Sequence, residues 1–196
     1  MKAIEVVNKE LILGDIEKPE PKENEVLIKV MAAGLNRADI AQKNGLYPPP
    51  PGASDILGLE CSGVITEVGK GVTSRKPGDK VIALLAGGGY AEYVTCPEYL
   101  AIRKPPELDW AQSASIPEVY ATCWLNLFIE AQMREGDKVV FHAGASGIGT
   151  AGIQLAKAFG CKSFITAGTK KKVDFCLKLG ASEGEIRSKS IFEKIK

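Results

Sequence analysis

Six residues form a turn suited to phosphate. Gly144-Ala145-Ser146-Gly147-Ile148-Gly149 follow the apolar run Lys138 to Ala143 and open a segment of helical spacing. Gly144, Ser146 and Gly149 stand at the spacing of a dinucleotide fingerprint, with serine in the middle glycine's place. Gly144 permits a tight strand-to-helix turn. A small residue at Ser146 or Gly147 lets the backbone approach a pyrophosphate, and Gly149 lets the helix pack closely on the strand. The helix start, to which Gly147 and Ile148 belong, presents free N–H groups and partial positive charge. A tight turn needs glycine for its geometry alone, so the strand before and the helix after carry the reading.

A second cluster lies roughly 20 residues further on, where an NAD site keeps an acid for the ribose hydroxyl. Here the residues are Thr166-Ala167-Gly168-Thr169-Lys170-Lys171-Lys172, with no carboxylate. A 2′-phosphate calls for hydroxyl donors and positive charge, which favours NADPH over NADH. The alternative is a solvated basic helix start, although lysines in a first turn oppose the helix dipole.

These clusters need a parallel αβ scaffold. Lys138–Ala143 reads as a buried parallel strand, Gly147–Phe159 as a helix ended by Gly160, Ser163–Ala167 as a second strand and Thr169–Leu179 as a second helix. The 181–196 stretch is polar and shows no pattern. Before it, Asp109 caps a helical segment running to Ala131. Up to Pro106 the texture differs. Short apolar runs at Val26–Val30, Val64–Val68, Lys80–Leu85 and Tyr90–Val94 alternate with Gly and Pro, and one short helix spans about 36–44. That spacing predicts a compact, partly open β-barrel. The fold class is therefore β plus α/β, with domains at 1–118 and 119–196.

Composition bounds the rest. The 196 residues hold 25 Lys and Arg against 24 Asp and Glu, net +1. Such balance argues against a dedicated nucleic-acid surface. No apolar stretch approaches the roughly 18 residues of a membrane span. Five scattered cysteines fit no disulfide framework, so a cytoplasmic setting is expected. The single histidine, His142, sits in an apolar strand and reads as a core residue.

Five blocks share an order and spacing: Gly34-Leu35-Asn36-Arg37-Ala38-Asp39, Gly58-Leu59-Glu60-Cys61-Ser62-Gly63, Lys76-Pro77-Gly78-Asp79, Gly88-Gly89-Tyr90-Ala91-Glu92-Tyr93 and the glycine turn. Together they resemble the medium-chain dehydrogenase/reductase superfamily, and within it the zinc-free, zeta-crystallin-like NADPH:quinone oxidoreductases. The resemblance runs from residue 1 to about 182. It implies a GroES-like β-barrel domain followed by a Rossmann doubly wound parallel sheet, here incomplete, with two of six strands counted. It implies hydride transfer from NADPH to a quinone or related conjugated carbonyl. Asn36 and Tyr47 would line the acceptor, Thr122 the nicotinamide carboxamide, and Gly168, Thr169 and Lys172 the 2′-phosphate. Asn36 is also well placed as a helix N-cap, Tyr47 for packing in the proline loop, and Thr122 for bonding its own helix backbone.

Zinc alcohol dehydrogenases resembling this family carry a Cys at the position of Asn36 and a His-Glu pair at that of Leu59-Glu60. Neither the Cys nor the His is present, so no zinc site is expected. Family members run to roughly 320–340 residues, and are commonly homo-oligomers. Two other functions stay open: an enoyl reductase of the same superfamily, or a shortened, non-catalytic binding or structural product.

Overall fold

The computed structural model describes residues 1–188, which form two compact units, Met1–Glu118 and the part beginning at Val119. In the first, β1 (Lys2–Val7) and β2 (Glu10–Asp15) make an antiparallel hairpin. Asn8 and Lys9 at its tip both have positive φ, 51° and 64°, the geometry that lets a two-residue turn follow strand twist. Then come β3 (Glu25–Ala33), α1 (Arg37–Lys43), β4 (Glu60–Val68), β5 (Lys80–Leu84), β6 (Tyr93–Pro97) and β7 (Ala101–Arg103).

Five of these strands form one antiparallel sheet in the order β6-β3-β4-β5-β7. Register slips between β3 and β4 at Leu27/Ile28 and Val30/Ala32, and such bulges bend and coil a sheet. The curled sheet closes on Val26, Ile28, Cys61, Ile65, Val81 and Ala83, all essentially inaccessible. This is the GroES-like domain. The expected strand at Tyr90–Val94 pairs three residues later, because Gly88, Gly89 and Tyr90 donate their N–H groups to carbonyls of Ile56, Gly58 and Leu57.

The helix expected over Asp109–Ala131 is broken. α2 (Trp110–Ala114) is capped by Asp109, whose Oδ1 accepts from the Gln112 N–H at 2.7 Å. A new helix, α3 (Pro117–Trp124), starts at proline, which lacks an N–H and keeps the preceding residue out of helical geometry. A π-helical turn follows at Leu125–Glu130.

In the second unit β8 (Lys138–His142), α4 (Gly147–Ala158), β9 (Lys162–Ala167), α5 (Lys170–Leu179) and β10 (Glu183–Ile186) alternate. The parallel sheet has the order β10-β9-β8. This is the first half of a doubly wound sheet. β10 corrects the reading of 181–196 as patternless and of two strands as the count. Glu183-Gly184-Glu185-Ile186 is poor strand sequence, yet Glu183 pairs with Phe164 and Ile186 with Ala167. The neighbouring strand overrides weak local preference. Residues 189–196 of the stretch lie outside the described residues. Phe141, Ile153, Ile165, Val173 and Cys176 form the core.

His142 is a second correction. It is exposed, not core, although its Nδ1 lies 3.1 Å from Thr166 Oγ1. The physical reason is that β8 has a strand partner on one side only among the described residues, and even Val140 on it is 39% exposed. Among the described residues no helix is long and apolar enough to cross a membrane.

Candidate active site

Asn36 is the N-cap of α1 and shares a capping box with Asp39. Its Nδ2 donates to Glu60 Oε1 at 2.9 Å. Glu60, at the start of β4, also accepts from the Glu118 N–H on Oε2 at 2.9 Å. One carboxylate thus holds the amide of Asn36 and the end of the unit. Asn36 Nδ2 keeps a second N–H with no acceptor among the described residues. On the other side of the capping box, Asp39 Oδ2 accepts from the Asn36 backbone N–H at 2.7 Å and from Tyr90 Oη at 2.6 Å.

Asp39 and Glu60 are 5% and 2% exposed. Burial pushes the Glu60 carboxyl above its ordinary range, against the bonds from Glu118 and Asn36. Burial, then the bond to Asp39, pushes the Tyr90 phenol well up. Tyr90 is therefore a fixed brace with its proton committed. Nothing in its type or spacing singled it out within the segment read as a strand.

Tyr47 is not brought into this network. It lies in the irregular 44–59 segment, 51% exposed, with no hydrogen bond among the described residues. Leu59, adjacent to Glu60, offers no metal-binding atom, and among the described residues no group of three His, Cys, Asp or Glu could hold a metal.

In the second unit Ser146 caps α4, its Oγ accepting from the Gly149 N–H at 3.1 Å. The N–H groups of Gly147 and Ile148 have no acceptor among the described residues, as the first turn of a helix requires, and both residues are exposed. The positive φ of the turn belongs to Ala143, at 56°, not to Gly144. Gly144 is needed for space: a Cβ there would lie 2.6 Å from Ile165 Cβ. A Cβ on Gly149 would strike the Gly144 carbonyl and lie 2.5 Å from its carbon. The two glycines let the first turn of α4 sit directly on the backbone that enters it.

α3 packs against this helix start. Cys123 Sγ lies 3.3 Å from the Ile148 carbonyl oxygen, which brings Thr122 near the turn. The Thr122 hydroxyl makes no hydrogen bond among the described residues; its carbonyl accepts from Asn126 Nδ2 at 2.8 Å. At the end of β9, Gly168 is exposed and a Cβ there would meet nothing within 4 Å. Thr169 caps α5. Lys170 pairs with Asp174 one turn on, which accounts for one of the three lysines. Lys171 and Lys172 are exposed and without an ion pair among the described residues.

Residues 22–106 match the alcohol dehydrogenase GroES-like domain. The chain is 37% identical over 170 residues to the quinone oxidoreductase of Sus scrofa, covering 86% of this chain and 52% of that one. The first unit carries the alcohol dehydrogenase GroES-like domain, and the chain resembles the medium-chain dehydrogenase/reductase family along most of its length. Two solved members of the family share its architecture. The quinone oxidoreductase of Thermus thermophilus, also solved in complex with NADPH, matches with a TM-score of 0.81 and 33% identity over 95% of this chain and 60% of that one. The CurK enoyl reductase matches with a TM-score of 0.88 and 29% identity over 99% and 62%. The chain spans about half the length of the curated oxidoreductase.

Proposed function

We propose that this chain belongs to a zinc-independent oxidoreductase that reduces quinones or related conjugated carbonyls with NADPH. The observation that carries the reading is the empty flank at Gly168 beside Lys171 and Lys172, which have no ion pair among the described residues, together with an exposed helix start where Gly147 and Gly149 lack Cβ atoms. Ser146, Gly147 and Ile148 would hold the pyrophosphate, and Thr169 and Lys172 the 2′-phosphate. Thr122, whose hydroxyl has no partner among the described residues, would orient the carboxamide. When bound, the nicotinamide supplies the hydride.

The chain's own task is to hold the acceptor and stabilise the charge that develops on its oxygen. Asn36 is built for that. Glu60 fixes one of its two amide N–H groups and leaves the other to donate. Tyr47 offers a phenolic donor with no partner among the described residues. Replacing Asn36 with alanine should lower kcat about 10²–10³-fold, the effect of losing one preorganised donor to a developing oxyanion, while NADPH affinity stays unchanged. Steady-state rates with a simple quinone, beside a direct NADPH titration, check both halves.

Gly168→Asp separates the two cofactors. A carboxylate fits there without a clash, can accept from a ribose hydroxyl and repels a phosphate. NADPH binding should weaken by roughly tenfold or more, about one charge-assisted interaction, and NADH binding should strengthen. Fluorescence titration with both nucleotides reads the switch. Equal binding of the two nucleotides by the unaltered chain would defeat the NADPH assignment.

An enoyl reductase is the second reading, favoured by the likeness to CurK. Its acceptor, an activated double bond conjugated to a carbonyl, also builds charge on oxygen. Mixing the chain and NADPH with a quinone, then with an enoyl thioester, and following nicotinamide absorbance distinguishes the two.

A further inference from the structure

The near balance of charge hides one strongly cationic cavity in the first unit. It has a volume of about 420 Å³, and its lining includes Arg75, Lys80, Arg103 and Lys104 but only one carboxylate, Asp79. Strand register gathers three of these cations. β7 pairs with β5 so that Arg103 lies opposite Val81, and the Lys104 N–H donates to the Lys80 carbonyl at 2.9 Å. The fourth is clamped beside them: Arg75 Nε donates to the Ala101 carbonyl at 2.6 Å and Nη1 to that of Ser74 at 2.8 Å. The Nζ atoms of Lys80 and Lys104 lie 6.0 and 5.3 Å from the centre of the Trp110 ring, and Lys104 Nζ also donates to the carbonyls of Pro105 and Leu108.

Like charges held side by side on paired strands are unfavourable, and none of the four has an ion-pair partner among the described residues. The nearby carboxylates carry bonds of their own, and the bonds from Ser74, with the Arg75 cation among the further groups, hold the Glu98 carboxyl below its ordinary range. Asp79 Oδ2 accepts from the Lys76 N–H at 3.1 Å, and Glu98 Oε2 accepts from Ser74 and Thr73.

We infer that this cavity binds a small phosphate-bearing molecule. The Arg103 guanidinium, the Nη2 of Arg75 and the two lysine ammonium groups, brought in by three segments, suit a tetrahedral dianion that accepts from several directions. The volume falls in the range that holds a whole small molecule, so the phosphate carries an organic body. The site uses none of the residues assigned to the nicotinamide cofactor and stands whether or not that assignment holds.

Pyrophosphate is the probe, titrated into the isotope-labelled full chain while backbone amide shifts are followed. Saturable shifts at Arg75, Lys80, Arg103 and Lys104 are expected. Arg103→Glu should weaken them by about tenfold or more, the loss of at least one charge-assisted pair. Lys172→Ala should leave them unchanged. Arg103→Gln gives the same reading should glutamate disturb β7. Shifts confined to residues 144–149 and 168–172, or equal affinity in all Arg103 variants and the unaltered chain, would overturn the site. Binding of an oligonucleotide with no response to pyrophosphate would overturn it too.

Discussion

Gly149→Val should abolish nucleotide binding and destabilise the second unit. A Cβ at this position meets the Gly144 carbonyl group, not a flexible side chain, so relief requires α4 to leave the backbone that enters it. Overpacking in a tight site costs about 1–3 kcal/mol, and a rigid obstacle places valine at the upper end. At about 3 kcal/mol the melting temperature falls by roughly 10 °C for a chain of this size. The displaced helix start also withdraws the N–H groups of Gly147 and Ile148, so NADPH affinity should drop more than about a hundredfold, equivalent to two lost charge-assisted bonds. Thermal melting and nucleotide titration check the two effects separately. A valine variant that melts and binds like the parent would contradict the close approach of the two glycines.

Glu60 should give the second large effect. Glu60→Ala leaves the Asn36 amide and the Glu118 N–H without their acceptor, at about 1–3 kcal/mol for each buried donor. A loss of about 3 kcal/mol is expected, again near 10 °C in melting temperature. Glu60→Gln isolates the charge. The folded carboxyl titrates above its ordinary value of 4.5, chiefly because it is buried. The folded state therefore binds this proton more tightly than the unfolded chain, and Glu60 costs stability as pH rises from that value through the folded one. Glutamine does not titrate. The stability of Glu60→Gln relative to the parent should climb across that window and then level off. Chemical denaturation at a series of pH values reads the slope; a flat difference would mean that burial does not govern this carboxyl.

The periodic and small-residue features of the chain were the legible ones. The run Lys138–Ala143, the glycine spacing after it and the serine place the turn, and α4 begins there with Ser146 as its cap and Gly149 against the Gly144 backbone. That Leu59 offers no metal-binding atom is a matter of residue identity alone. What stayed hidden depends on contacts distant in sequence. Tyr90 meets Asp39 across 51 positions, and Glu60 reaches Glu118 across 58. No local pattern announces such pairs. β10 forms because β9 presents a free ladder, not because its residues prefer extension. The opposite failure occurred at His142, where an apolar run implied a covered strand and one flank of β8 proved open.

The five cysteines gain a use from their positions. All are free and buried, Cys61 and Cys96 in the sheet of the first unit and Cys123, Cys161 and Cys176 in the second. Burial pushes Cys96 up to about 12 and raises Cys61 and Cys176 as well, so a thiol-directed alkylating reagent finds little thiolate in the native protein. Labelling becomes a clock for local opening, with built-in reporters in each half. Mass spectrometry of partly alkylated peptides then tells which half breathes first, without introducing a single foreign probe.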